Sequence, residues 1–248
     1  MHNPLTHTDL LRLIDERHAT FRRTIHAAPT LDTKVPTCPD WTLHQLAEHI
    51  GQGRRSWAAT VTAADPTSGR LPDTDPAPHD RTQLDTWLTT AAGRLIDALR
   101  TAGPDQPVWT WWPTAQSPQT SGAVARHQLQ EIAVHTYDAQ LTTGDPQPLP
   151  TDIALDGVEE FLHTVSTTTT PWPHTPATIA FTTTEGPTWH LRLDHDGAYT
   201  VTPDGPADTT LTGTASNLVL LCYGREPDGI TLTGDPTHVD RLIEWDPS

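Results

Sequence analysis

The stretch Arg126-His127-Gln128-Leu129-Gln130-Glu131-Ile132-Ala133-Val134-His135-Thr136-Tyr137-Asp138 decides how this chain is read. It holds neither Gly nor Pro, so a helix is permitted. At about 100° per residue, Val124, Gln128, Glu131, His135 and Asp138 fall on one face. Ala125, Leu129 and Ile132 flank that polar stripe on one side, Val134 and Leu141 on the other. A surface helix sets its polar stripe opposite a single apolar one. Here the polar face is bracketed by apolar ones, as when a helix in a bundle aims polar groups inward. Glu131 and His135 stand four apart and project together. An exposed ion pair would satisfy that spacing. A buried acid and imidazole need compensation, which a metal ion provides.

Working outward, the N-terminal half reads as helices. Leu10, Leu13, Ile14, Phe21 and Ile25 recur at helical spacing, with Thr8 or Asp9 as the cap. A Pro-punctuated connection over residues 35–42 leads into a second helix, where Thr42 and Gln45 have the spacing of a capping box. Its apolar face is Leu43, Leu46, Ala47, Ile50, Trp57 and Val61. His49 sits at the border of that face, and Gly53 leaves room beside the imidazole. A packed or half-exposed histidine and a metal ligand both fit this position. Residues 65–81 read as a loop. A third helix runs from about Thr82 to Leu99 and stops at Gly103-Pro104. Trp109, Trp111 and Trp112 read as packing at the bundle mouth or as a wall of a cleft.

Beyond Gly144-Asp145-Pro146 the pattern changes. A helical piece spans 153–165, and the Thr/Pro run 167–176 reads as an interdomain connection. Strands are expected at 178–183, 188–193, 199–202, 211–212 and 230–233. Leu218–Leu221 forms a short buried helix. A last helix starts at Asp235-Pro236, with Val239, Leu242 and Ile243 packed inward. The fold class is therefore α+β: a helical domain over 1–166 and a small α+β domain over 177–248.

Composition narrows the partners. The 248 residues carry 15 basic and 31 acidic side chains, a formal charge of −16, which argues against nucleic acid and anionic membranes. No apolar run reaches the roughly 20 residues of a membrane span. The N-terminal residues 1–5 lack the pattern of an export signal, and Cys38 and Cys222 form no redox or metal motif, so a reduced cytoplasm is expected. Lys34 is the sole lysine amid abundant Arg, Ala, Thr and Pro, a skew that points to GC-rich coding. Of the 14 histidines, His2, His7, His79 and His174 stand in loop-like surroundings and read as solvated. Bringing the helices together joins His49 to Glu131 and His135. Two histidines and one carboxylate leave a coordination position open for water or substrate.

Two separated motifs carry a resemblance. Val35-Pro36-Thr37-Cys38-Pro39-Asp40-Trp41-Thr42, running into Leu46-Ala47-Glu48-His49-Ile50-Gly51, resembles the first signature of the mycothiol-dependent maleylpyruvate isomerase family. Arg126, Glu131, His135 and Asp138 match its second. Leu211–Ser216, Leu220–Arg225 and Leu232–Asp235 resemble the family's appended domain. The resemblance implies a DinB-like four-helix bundle followed by a sterol-carrier-like α+β domain. It implies His49, Glu131 and His135 as metal ligands, with zinc the usual ion, although the set also suits Fe(II) or nickel. Arg225 would hold a substrate carboxylate or an acid group of the thiol cofactor; a structural salt bridge is its alternative. Asp138 would orient a ligand or pair with Arg126, and Cys38 reads as packing. The implied activity uses a low-molecular-weight thiol, mycothiol, as a thiolate nucleophile in isomerisation or S-transfer on a small electrophile. A non-catalytic small-molecule-binding or regulatory protein, and a hydrolase that activates water, are the competing classes. Monomer and homodimer both remain open.

Overall fold

The computed structural model describes residues 5–72 and 75–246. His2, read above as solvated, and two positions of the expected 65–81 loop lie outside the described residues. The chain divides into two compact units, one holding residues 5–111 and 119–149, the other residues 112–118 and 150 onward.

The first unit is the four-helix bundle: α1 (His7–Ala27), α2 (Leu43–Ala63), α3 (Arg81–Ala102) and α4 (Ser121–Thr143). α1 packs on α4 and α3, and α2 packs on α3 and α4. Each helix opens on a side chain that accepts a backbone N–H otherwise left unpaired. Thr42 and Gln45 form the expected capping box on α2. On α1 the cap is Thr6, with Asp9 completing its box, rather than Thr8 or Asp9; the reciprocal bonds need an acid three residues after the cap, and only Thr6 has one so placed. Asp80 caps α3 and Thr120 caps α4, while α4 ends at Gly144 in the left-handed conformation (φ 76°).

Inside the bundle, α4 is buried on more than one side. Val124, Leu129, Ile132 and Val134 contribute to the core, and Gln128 and Asp138 are fully buried beside them. This agrees with a polar stripe turned inward between apolar flanks. The connection over 35–42 is a small antiparallel hairpin of β1 (Lys34–Val35) and β2 (Cys38–Thr42), with β1 lying against α4.

The second unit holds α5 (Thr151–Phe161), which runs into a π-helical turn (Leu162–Ser166), and a mixed five-stranded sheet. Its strands are β3 (Ala177–Thr183), β4 (Thr188–Asp194), β5 (Gly197–Val201), β6 (Thr209–Gly213) and β7 (Thr231–Gly234), in the spatial order β5-β4-β3-β6-β7. β3 pairs parallel with β6; the other neighbours are antiparallel. Ile179, Phe181, Leu191, Leu193 and Leu211 from the sheet join Leu218, Val219 and Leu220 of α6 (Ala215–Cys222) in the core.

Three expectations are corrected here. His7, read above as loop-like and solvated, is the first residue of α1, part-buried, with Nε2 3.2 Å from Leu99 O. The run 167–176 is built into the second unit: Thr168 and Ala198 exchange both backbone bonds at 2.9 Å, and Trp172 is buried, its backbone N donating to Asp194 O. β-Branched threonines suit such strand-like pairing. In α7 (Thr237–Glu244), Ile243 is 76 % exposed instead of packed inward. This two-turn helix has room to seat only part of its apolar stripe.

Gly51 lies where α2 and α3 approach closely. A Cβ built there would lie 1.8 Å from the Trp87 ring of α3. Gly51→Ala should therefore lower the unfolding free energy by about 1–3 kcal/mol despite the better helix propensity of Ala. Chemical denaturation measures this, and Trp87→Leu should relieve most of the loss in the double variant.

His18 on α1 gives a second prediction. It is buried, one ring nitrogen (Nε2) lies 2.9 Å from Leu88 O, and burial together with the nearby Arg54 charge lowers its pKa to about 3. The unfolded chain takes up a proton near pH 6.5 that the folded chain refuses down to about pH 3. Stability from this group is thus present above about pH 6.5 and is lost as pH falls through that window, with a limiting slope of about 1.4 kcal/mol per pH unit. Urea midpoints measured from pH 7 to pH 5 should fall more steeply for the wild type than for His18→Gln.

Candidate metal centre

α2 and α4 face one another in the bundle, and their facing sides bring together the residues predicted as ligands. His49 Nε2 lies 3.4 Å from Glu131 Oε1. The rings of His49 and His135 meet edge to face with centroids 5.2 Å apart. Trp41, delivered by β2, lies against both imidazoles, 4.7 Å from His49 and 6.3 Å from His135. His49 keeps 37 % of its side chain exposed, against 17 % for Glu131 and 14 % for His135, so solvent reaches the group on the His49 side. A Cβ at Gly53 would have Glu131 Oε1 as its neighbour at 3.6 Å, so the room this glycine leaves adjoins the carboxylate rather than the imidazole.

A chain of hydrogen bonds orients His135. Its Nδ1 lies 2.8 Å from Asp138 Oδ2, and Thr37 Oγ1 donates to Asp138 Oδ1 at 2.6 Å. A buried carboxylate at that distance calls for the proton on Nδ1, which leaves Nε2 with the lone pair that a metal ligand needs. Asp138 therefore has the contact that the orienting role expected for it requires. The second signature spaces these residues three apart on α4, one helical turn, which is why they meet.

Glu131 is supported from behind. Gln128 Nε2 donates to Glu131 Oε2, and Arg54 Nη1 donates to Gln128 Oε1 at 2.7 Å and to Gln128 O at 3.0 Å. Burial alone would raise the Glu131 pKa. The hydrogen bond from His49 and the charges of Arg54, His49 and His127 outweigh it, holding the carboxyl below the usual carboxylate range. Arg54 has no exposed surface, and burial lowers its pKa to about 10, so it stays protonated at neutral pH.

Cys38, His135 and Asp138 also bring potential ligand atoms within 4.8 Å of one another. That trio fits a metal less well, because both Asp138 oxygens and His135 Nδ1 are engaged with one another and with Thr37. By the chemistry of its donors the set of His49, Glu131 and His135 suits a divalent ion of the zinc type, with two imidazoles, one ionised carboxylate and partial access for solvent, although its three donor atoms are not among the groups of described residues that gather within 4.8 Å.

Sequence reasoning missed Arg54, Thr37 and Trp41 as parts of this group and read Cys38 only as packing. The three tryptophans before α4 divide in role: Trp109 packs beside Trp57 with centroids 6.1 Å apart, Trp112 is buried, and Trp111 is 44 % exposed with its ring edge to face with His127. Arg225 lies in the second unit, half-buried just after α6, and its Nη1 donates to Tyr223 O.

Comparison with known proteins identifies the family and the fold. Residues 11–140 match the family model for the mycothiol maleylpyruvate isomerase N-terminal domain, and residues 152–241 match the model for the C-terminal domain of the same family. Among solved structures, the chain is similar to a mycothiol-dependent maleylpyruvate isomerase, with a TM-score of 0.59, 15 % identity, and coverage of 92 % of this chain and 93 % of the other. A histidine-to-alanine mutant of a mycothiol-dependent maleylpyruvate isomerase gives a TM-score of 0.58 at 14 % identity and the same coverage. No curated protein matches the chain in sequence.

The Asp138 contact predicts a fixed tautomer. Long-range proton–nitrogen NMR of the wild type should show His135 protonated at Nδ1 when neutral, and Asp138→Ala should give the mixed tautomers of a free imidazole. An unchanged His135 pattern in Asp138→Ala would show that the carboxylate does not set the ring.

Proposed function

We propose that this chain, which belongs to the mycothiol maleylpyruvate isomerase family, is an enzyme that uses a low-molecular-weight thiol, mycothiol, in isomerisation of or S-transfer to a small electrophilic substrate. His49, Glu131 and His135 would hold a divalent ion, zinc by preference. The observation that carries this reading is the meeting of those three side chains between α2 and α4, with His135 Nδ1 engaged by Asp138. When bound, the ion supplies the Lewis acidity that makes a thiol lose its proton at neutral pH.

The chain's own residues divide the remaining work. Glu131, kept ionised by its surroundings, contributes the negative charge of the site. Trp41 covers the two imidazoles and excludes water from that side. We assign Arg225 to the recognition of a carboxylate, on substrate or thiol, through the forked geometry of its guanidinium. Among the described residues no helix is long and apolar enough to cross a membrane, and both cysteines are free thiols, which supports a reducing, cytoplasmic setting.

Metal content of the untagged protein, followed by turnover of maleylpyruvate and of generic electrophiles with and without mycothiol, tests the reading. Stoichiometric zinc that is lost in His135→Ala, together with turnover that needs the thiol, is the expected result. Arg225→Lys should mainly raise KM for a carboxylate-bearing partner, by roughly 10-fold. Turnover without thiol would replace the reading with a hydrolase, and ligand binding without turnover would replace it with a binding protein.

A further inference from the structure

We propose that Gln128, locked in one orientation by Arg54, is a positioning residue that fixes Glu131 for metal binding. The inference rests on Glu131 being a ligand, as assigned above, and adds a residue pair that the ligand set itself does not contain.

The argument is one of donor and acceptor polarity. A side-chain amide can point either way, since its oxygen and nitrogen differ little in size. Arg54 removes the choice. A guanidinium only donates, and Arg54 Nη1 donates both to Gln128 Oε1 at 2.7 Å and to the Gln128 carbonyl at 3.0 Å. With its oxygen committed, the amide must turn its NH2 the other way, where Glu131 Oε2 accepts. The reverse orientation would set NH2 against guanidinium and oxygen against carboxylate, two repulsive contacts in a buried place. Glu131 thus has one oxygen tied from behind and the other, Oε1, 3.4 Å from His49 Nε2.

Burial makes this string costly to break. Arg54 and Gln128 are both fully buried, and Arg54 Nε and Nη2 have no protein acceptor among the described residues. A buried charge needs compensation, and Glu131 is the acid that acts on Arg54. The pair is therefore held together by mutual need, with Gln128, among the described residues, bonded to both. α2 serves the site twice: His49 is a ligand, and Arg54, five residues on, anchors the opposite ligand through α4.

The test is a double-mutant cycle on the full-length protein, read as the Kd for zinc ion by competition with a chromogenic chelator. Gln128→Met keeps the length and volume of the side chain and removes both polar contacts. It should weaken zinc binding about 10–100-fold, the usual effect of losing a group that orients a metal ligand. In the Glu131→Ala background the same substitution should change the Kd by no more than about twofold, because the residue it acts through is gone. Equal losses in both backgrounds, or no loss in the wild-type background, would overturn the role of Gln128. A wild type that takes up no zinc, or a Glu131→Ala variant that binds it as well as the wild type, would instead overturn the ligand assignment and the relay with it. Thermal melts confirm that each variant is folded at the titration temperature; Gln128→Leu runs through the same cycle should Gln128→Met fail to fold.

Discussion

A buried guanidinium on α2 and a largely buried carboxylate on α4, joined through a single amide, form the constraint on which the helical unit depends. Arg54 cannot be placed in a dry core unless Glu131 is ionised, and Glu131 cannot stay ionised there without the charges that face it. The string fixes the relative placement of α2 and α4 at the level where His49 and His135 also meet. Packing at Gly51, one turn before Arg54, brings α3 close to α2, so that helix is held by a close steric contact and an electrostatic one. A constellation made in this way is largely preorganised, with its geometry set by groups outside the proposed ligand set.

The bundle was legible in the sequence because its signals are local. Helical periodicity, the Thr42/Gln45 box and the Gly stops at 103 and 144 each act within one or two turns. The face of α4 that carries Glu131, His135 and Asp138 was legible for the same reason. His49 was visible as a border residue, and its partnership with α4 came from combining separate helices. What stayed hidden was long-range. Nothing local to Arg54 says that it is buried, since arginine is ordinarily a surface residue. Its partner lies 74 positions away, beyond the reach of any periodicity. Thr37 and Asp138, 101 positions apart, share the same difficulty. The hairpin of β1 and β2 was masked by its prolines, which read as punctuation although they sit at positions where the ladder needs no donor.

In the second unit the errors have another cause. Thr-rich runs serve equally as strand and as connection, and only the pairing of Thr168 with Ala198 decides between them. α7 carries the alternation of a buried helix yet leaves Ile243 in solvent, because two turns of helix cover little of a sheet. Short elements at the end of a chain are where sequence pattern and tertiary burial part company most readily.

The sheet also ends on β7, four residues that are all exposed, Leu232 among them. A strand in that position presents unpaired backbone groups that a second molecule could match. Its shortness is one protection. The other is the chain's charge of −16, which sets like molecules repelling one another before any edge can align. That repulsion fades over about 8 Å at physiological ionic strength. Colloidal stability of this protein is thus tied to salt in a way its fold is not: screening the acidic surface leaves the short edge as the remaining guard against self-association.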